Sequence, residues 1–147
     1  MSGASPRLVS NEALVAAPNT LHVVRLLPST AVSRQGLAVL WQSSLTRLSS
    51  EIEGHSLGGG MLKLEPTEAK RVLLPYCLGN PDTATQIADD IDHMSRSGRE
   101  GDAVEAVDRE VLMKGIGLTK EQVSKIRQAA DLLRGRRYLR GSKREPS

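Results

Sequence analysis

The stretch EGHSLGGGMLKLEP, residues 53–66, joins a run of three glycines to side chains that can donate hydrogen bonds. Glycine has no Cβ atom, so consecutive glycines are expected where the backbone needs a positive φ or where another molecule approaches the main chain closely. A phosphate in such a position could accept hydrogen bonds from the backbone N–H groups. The run is therefore either an anion-contacting loop or a flexible turn that follows a helix. Its residues are Gly58, Gly59 and Gly60, and the flanking donors are His55, Ser56 and Lys63.

A second group of cations lies in the sequence RGRRYLRGSKREPS, residues 134–147, which holds six lysines and arginines against one glutamate. The glycines and proline of this segment oppose a long helix, so we expect residues 135–147 to form a basic, disordered and flexible tail. Such a run is typical of a solvated chain end or of phosphate contact, although an acidic protein partner would fit its sign. Two cations after Pro66 allow the same two interpretations. The candidate contacts from both segments are Lys70, Arg71, Arg136, Arg137 and Arg140.

The motifs of several enzyme classes are missing from the sequence. It contains no G-x-x-x-x-G-K-[ST] phosphate loop and no G-x-S-x-G motif, and its glycine run follows a helix where a dinucleotide fingerprint would open one. Asp89 and His93, four residues apart, could supply two metal ligands, which is too few for a site. Cys77 has no identifiable base partner, which favours a small buried side chain over a catalytic thiol. We therefore expect neither a catalytic residue nor a metal site.

The composition indicates one domain with at most an appendage, and it limits the classes of partner. The 147 residues contain no Phe, one Trp and two Tyr, so the core must consist of Leu, Val, Ile, Ala and Met. So few rings largely exclude an aromatic platform for single-stranded nucleic acid, and one cysteine excludes a disulfide framework. No apolar run approaches the roughly 20 residues of a membrane span, and residues 1–20 lack the pattern of a signal peptide. We expect a cytoplasmic protein without a membrane segment.

The N-terminal half combines two β-favourable runs, residues 7–17 and 20–27, with one strong helix predicted over residues 36–53. Apolar residues recur on one stripe of this helix, and the stripe predicts its buried face. A further apolar strand is predicted at residues 61–64, directly after the glycine run. The stripe consists of Leu37, Leu40, Trp41, Leu45, Leu48 and Ile52.

Three residues of the predicted helix or next to it bear on function. Trp41 lies in the apolar stripe, which favours core packing over base stacking. Arg34 precedes the helix and Arg47 lies on its polar side, so both could reach DNA or could simply be solvated. Gly54 occupies the position of a left-handed C-cap, which predicts the end of the helix.

After the turn cluster LGNPDTAT, residues 78–85, the pattern is helical throughout. Apolar spacings predict three helices, over residues 84–97, 102–114 and 120–134, and Thr119 with Gln122 forms a capping box before the last one. We predict an α+β fold class, with a small mixed β unit and one long packed helix, followed by a C-terminal helical bundle and the basic tail. The corresponding boundaries are residues 1–80, 81–134 and 135–147.

Three segments, NTLHVVRL, GLAVLWQSSLTRLSSEIEG and LGGGMLKLEPTEAKRVLLP, resemble in their order the C-terminal target-recognition region of adenine-specific DNA methyltransferases from restriction-modification systems. In that family a helix reading like LaaLLNSsL is followed by a glycine-bearing loop and a phrase ending in lpiP. This chain has Gln42 in place of the family's Asn, and RVLLP matches the closing phrase. The segment AVDREVLMKGIGLTKEQ resembles the family's terminal iDelVyeLyGLteeE, so the likeness covers roughly residues 11–133. The matching positions of that segment are Asp108, Gly117, Leu118, Thr119 and Glu121.

The resemblance implies that residues 1–80 form a target-recognition-like unit and that the glycine run lies on the side facing double-stranded DNA. Family enzymes also carry a Rossmann-like domain with an S-adenosylmethionine loop and an Asn-Pro-Pro-Tyr type motif, which holds the flipped adenine. This sequence contains neither. We therefore expect that the chain binds no cofactor, and that S-adenosylmethionine binds only to a catalytic methyltransferase subunit acting as its partner.

Two other interpretations stay open at this point. Helices 84–134 could form a protein-interaction module with no nucleic-acid role, which would require an exposed apolar patch of several hundred Å². The chain could also be an inactive remnant of a larger methyltransferase. A DNA-contacting module instead requires Lys63, Lys70, Arg71 and the basic tail to share one surface.

Overall fold

The computed structural model describes residues 5–19, 21–76 and 82–142, which are mostly helical with one small sheet. The sheet contains two antiparallel strands, so the layout is compatible with the predicted α+β class. The helices are α1 (Arg34–Leu40), α2 (Ser44–Glu53), α3 (Pro66–Ala69), α4 (Thr83–Gln86), α5 (Ala88–Arg96), α6 (Glu100–Val107) and α7 (Lys120–Ser142). The strands are β1 (His55–Ser56) and β2 (Leu62–Lys63).

The prediction of a single helix over residues 36–53 is wrong, because the chain forms two helices there. A turn separates α1 from α2, and in it the Gln42 N–H donates to the Val39 carbonyl at 2.9 Å. Ser43 then caps α2, since its Oγ accepts a hydrogen bond from the Thr46 N–H at 3.2 Å. A serine at this position satisfies an N–H group that has no partner inside the helix, which favours a new helix start.

The face of α2 that packs against the chain is polar, unlike the predicted apolar stripe. Ile52 of the stripe is 63% exposed, and the two other stripe residues in this helix are half-buried. The Thr46 hydroxyl donates to the Leu73 carbonyl at 3.0 Å, and the Leu73 N–H donates to Ser49 Oγ at 2.9 Å. The hydroxyls thus satisfy the backbone of a neighbouring non-helical segment. The buried residues of α2 are Ser44, Thr46, Ser49 and Ser50.

The hydrophobic core lies among α1, α4, α5, α6 and the segment that follows α6. It is built from aliphatic side chains, as the composition predicts, because few rings are available. Ile91 and Val107 are among its most buried members, at 1% and 0% exposure. The buried core residues are Val32, Val39, Leu40, Ala84, Ile91, Ala103, Val107 and Val111.

Residues Asp108–Gly115 extend α6 as a π-helical segment. Its wider repeat is visible where the Ile116 N–H donates to the Val111 carbonyl, five residues earlier, at 3.0 Å. The predicted capping box of α7 is confirmed. The Thr119 Oγ1 accepts from the Gln122 N–H at 3.2 Å, and the Gln122 Oε1 accepts from the Thr119 N–H at 2.8 Å.

The two β-favourable runs do not form strands in the described residues. Residues 7–17 and 21–27 carry no ladder hydrogen bonds, and one of their links to the domain joins His22 Nε2 to the Leu64 carbonyl at 3.0 Å. The mixed β unit that we predicted is therefore, in this part of the chain, only the pair β1–β2. Several apolar side chains of the runs are exposed: Val9, Leu14, Val15, Leu21, Val23, Val24 and Leu27.

The predicted flexible tail is largely helical, because α7 continues through Ser142. Residues 135–142 belong to this helix, and residues 143–147 lie outside the described ranges. Cys77 and residues 78–81 of the predicted turn cluster lie outside them as well, whereas residues 83–85 of the cluster belong to α4. None of the helices in the described ranges combines the length and the hydropathy of a transmembrane span.

Candidate nucleic-acid interface

The glycine run forms the turn of the β1–β2 hairpin. Gly58–Gly60, hereafter the glycine turn, form a tight turn in which Gly59 departs from helical dihedrals, and the strands pair so that His55 lies opposite Lys63. Gly59 and Gly60 have φ values of 68° and 70°, a region that side-chain-bearing residues rarely adopt. The hairpin conformation therefore requires glycine at two of the three positions.

Gly60 must lack a side chain for a second reason. A Cβ atom built on Gly60 would lie 2.5 Å from Cδ1 of the Tyr138 ring, so the ring of α7 packs directly on this main chain. A Cβ atom on Gly59 would meet nothing within 4 Å among the described residues. The main chain of Gly60 is thus covered by a side chain of the same protein, whereas the main chain of Gly59 is not covered by any described residue.

Gly54, at the end of α2, does not adopt the left-handed conformation that we predicted. Its φ of −81° and ψ of 162° are extended, because the chain enters β1 at the next residue. A Cβ atom here would lie 2.8 Å from the Ser50 carbonyl oxygen and 2.9 Å from Cδ1 of Leu62. Gly54 is therefore required by tight packing of the hairpin against α2.

Arg137 holds α7 against α2 and the glycine turn. Its side chain is 2% exposed and that of Glu51 is 3% exposed. The guanidinium donates two hydrogen bonds to the Glu51 carboxylate, Nε to Oε2 at 3.0 Å and Nη2 to Oε1 at 2.8 Å, and Nη1 donates to the Gly60 carbonyl. A bidentate pair of this kind is both strong and directional. Because its guanidinium is enclosed, Arg137 supports the fold, and DNA contact by this residue stays an untested prediction.

Three predicted contacts of the hairpin region already have carboxylate partners. Lys63 Nζ lies 2.5 Å from Glu65 Oε1, which raises the pKa of Lys63. His55 Nδ1 lies 2.7 Å from Oε1 of the buried Glu68, and Arg71 Nε lies 2.6 Å from an oxygen of Glu53. The pairs of Lys63 and Arg71 reduce the local positive charge that a phosphate would meet. The three pairs also tie β1, α2 and α3 into one surface around the glycine turn.

The remaining predicted contacts with side chains lie on one side of α7, directly after α3, and in β1. Lys70, Arg136 and Arg140 are exposed, and none of them forms an ion pair with another residue of the described ranges. Because an α-helix has about 3.6 residues per turn, Arg136 lies on a different side of α7 from Arg137 and Tyr138. Ser56 is exposed in β1, opposite Leu62. The structure therefore brings the hairpin, α3 and the basic end of α7 together, but it does not present all eleven predicted residues on one face.

A buried carboxylate fixes the start of α2 and the middle of α7. Asp108 is 1% exposed and accepts hydrogen bonds from the Ser44 N–H at 2.8 Å, from the Ser44 hydroxyl, and from Arg127 Nη2 at 2.8 Å. Negative charge is favourable at a helix N-terminus, where free N–H groups and the helix dipole are positive. Asp108 therefore has a structural role at a position that the sequence resemblance singled out.

The fold also brings together three arginines that the sequence analysis did not connect. Arg7, Arg47 and Arg134 line one small cleft that opens to solvent. The indole N–H of Trp41 donates to the Pro6 carbonyl at 2.9 Å at this cleft, so the ring is fixed there and is only half-buried. The arginines belong to three distant parts of the chain, and no local pattern could have grouped them. The other lining residues are Ser5, Gln42 and Glu100.

Metal binding finds no support in the part of the chain that the structure describes. No three His, Cys, Asp or Glu side chains come together there in a way that could hold a metal ion. The predicted pair Asp89 and His93 lies on exposed positions of α5.

Comparison with known proteins places the chain in a family. No curated protein sequence and no solved structure shows a significant match. The sequence model described as Type II methyltransferase M.Eco57I, C-terminal domain, matches residues 1–112, which includes everything from the N-terminal segment to the middle of the π-helical segment. The matched region contains the hairpin, α3 and Asp108, whereas α7 follows it. This chain therefore belongs to the family of Type II methyltransferase C-terminal domains represented by M.Eco57I.

Proposed function

We propose that this chain is a DNA-binding, target-recognition module of an adenine-specific DNA methyltransferase from a restriction-modification system. Membership of the Type II methyltransferase C-terminal family is the observation that carries the proposal. The catalytic motifs of adenine methyltransferases are missing from the sequence, so we assign no catalytic step to this chain. S-adenosylmethionine would then bind to a catalytic partner subunit.

The hairpin surface is the proposed DNA contact. Its open main chain at Gly59 leaves room for a sugar-phosphate backbone. Of the exposed cations, Lys70 directly follows α3 and Arg140 lies on α7. Lys63 and Arg71 could exchange their glutamate partners for phosphate, because exposed ion pairs contribute little to stability. Contacts of this kind position a duplex without reading its sequence.

A protein-interaction role has one observation in its favour. The exposed apolar side chains are concentrated in residues 9–27, and not in helices 84–134 where this alternative first placed them. Exposed apolar positions in such density are typical of a surface that a partner covers. A catalytic methyltransferase subunit would combine both roles, since it would cover this segment while the hairpin contacts DNA.

Fluorescence anisotropy on a labelled duplex tests the proposal. We expect salt-dependent binding by the intact chain, with the double variant Lys70→Gln/Arg140→Gln lowering the slope of log affinity against log salt by about 2, since each phosphate contact contributes about 0.9. The control is Lys120→Gln/Lys125→Gln, which removes two exposed charges at the other end of α7, one of them paired with Glu121. The intact chain should transfer no methyl group from labelled S-adenosylmethionine to this duplex.

Lack of binding by the intact chain at low salt would refute the DNA role. An equal change of slope in the control pair would show that total charge, and not the hairpin surface, governs binding.

A further inference from the structure

Of the three arginines in the cleft, Arg7 and Arg134 have carboxylate partners and Arg47 has none among the described residues. Arg7 pairs with Glu100, and Arg134 Nη2 lies 2.9 Å from Oδ1 of Asp131. Arg47 forms neither a hydrogen bond nor an ion pair through its side chain with any residue in ranges 5–19, 21–76 and 82–142. An arginine carries five N–H donors, so the centre of this cleft holds donors that the protein does not use.

The electrostatic surroundings of Arg47 are unfavourable to its charge. Burial lowers the pKa of Arg47, and the nearby positive charge of Arg134 lowers it further. Asp108 and Asp131 act in the opposite direction, and Arg7 adds a small lowering effect. A half-buried cation beside two others would be stabilised by an anion among them, because opposite charges at short range favour the charged form.

We propose that this cleft binds a phosphate group through Arg47 and Arg134. The planar guanidinium fork matches two oxygens of a phosphate, and two or three such forks can surround one group. The cleft is small and open to solvent, which suits a phosphate and not a large cofactor. The indole of Trp41 forms a fixed wall of the cleft.

The two carboxylates near the cleft do not prevent this binding. The charge of Glu100 is matched by Arg7, and both side chains are largely open to water. The pair between Arg134 and Asp131 is also exposed, at 38% and 58%, so a phosphate can replace Asp131 at small cost.

Two sources could supply the phosphate: a free phosphate compound or the phosphodiester backbone of DNA. The inference goes beyond the proposed function, because it concerns a different surface from the hairpin. It can hold even if the hairpin surface does not bind a duplex.

Nuclear magnetic resonance on the intact, ¹⁵N-labelled chain tests the proposal. Trp41 is the only tryptophan, so its indole N–H signal is assigned without a variant and reports on the cleft directly. Inorganic phosphate and a short duplex are titrated separately, and the arginine Nε–H signals are followed with the indole signal. We expect saturable shifts of the indole and of the Arg47 Nε–H with at least one of them. Phosphate alone would identify a free phosphate compound, and the duplex alone would identify the DNA backbone.

Arg47→Met should reduce the affinity for the active ligand at least about 10-fold, because hydrogen bonds to a charged group are lost. Arg47→Lys should lie between this variant and the wild-type chain, since the charge remains without the fork. The control is Arg96→Met, in which an exposed arginine of α5 paired with Asp92 is removed.

The proposal is overturned if neither ligand shifts the indole signal of the wild-type chain. This test does not depend on whether the Arg47 variants fold. An equal loss of affinity in Arg96→Met would also overturn it, because the effect would then be one of net charge.

Discussion

Replacing Arg137 should test whether α7 is an integral part of the domain. In Arg137→Met the carboxylate of Glu51 keeps its buried position, at 3% exposure, but loses both hydrogen bonds and its counter-charge. Breaking one partner of such a buried pair destabilises a protein by about 3–5 kcal/mol. Since small domains are stable by roughly 5–15 kcal/mol, this change should remove a large share of the total.

Urea unfolding followed by circular dichroism measures the effect. The control is Arg136→Met, an exposed neighbour on the same helix, which should change the free energy of unfolding by no more than about 0.5 kcal/mol. In the double variant Glu51→Met/Arg137→Met the uncompensated carboxylate is gone. It should therefore be more stable than Arg137→Met alone, because a buried ion pair can be replaced by apolar side chains with little loss.

Two results would refute this reasoning. Equal urea midpoints for Arg137→Met and Arg136→Met would mean that Arg137 is not enclosed. A double variant less stable than Arg137→Met would mean that the lost stability does not come from an unpaired Glu51.

The glycine turn and α3 give two further expectations. Alanine at Gly59 or Gly60 should destabilise the hairpin because both φ values are positive, but Gly60→Ala should lower the urea midpoint more, since its Cβ would meet Tyr138; equal effects would exclude the Tyr138 contact. The hydrogen bond from the Glu65 N–H, and less strongly the nearby His55, hold the pKa of Glu68 below its ordinary value of 4.5. The stability that the Glu68 carboxylate contributes is thus complete above pH 4.5 and is lost as the pH falls through the lower pKa of the folded state. Glu68→Gln should therefore flatten the decline of the urea midpoint in acid. An unchanged acid profile would contradict this.

Features encoded by neighbouring residues could be predicted from the sequence. Thr119 and Gln122 are three positions apart, and their capping box forms as expected. The strand predicted directly after the glycine run is confirmed as β2, whereas the short strand β1 before the run was not predicted. The run itself fits a hairpin turn, which needs residues that tolerate positive φ. In both cases the partners of each group lie within a few residues, so the local sequence holds all the information.

Features that depend on distant partners could not be predicted. The basic segment after residue 134 has the charge of a flexible tail, yet Arg137 finds Glu51 at a separation of 86 residues. The cleft gathers Arg7, Arg47 and Arg134 from three distant parts of the chain. The apolar stripe from Leu37 to Ile52 was misleading for another reason, since Ser43 starts a second helix inside the periodic pattern and the hydroxyls of α2 take the inner face.

The two acid–arginine pairs of α7 make this helix a rigid spacer. Arg127 is held by Asp108 and Arg137 by Glu51, and their separation of ten residues corresponds to about 15 Å at the helical rise of 1.5 Å per residue. Moving α7 along its axis by one helical turn would break both pairs at once. Arg134 lies between these two fixed points, one turn before Arg137. The distance between the arginine cleft and the glycine turn is therefore constant, and a rigid ligand that touched both would have to match it.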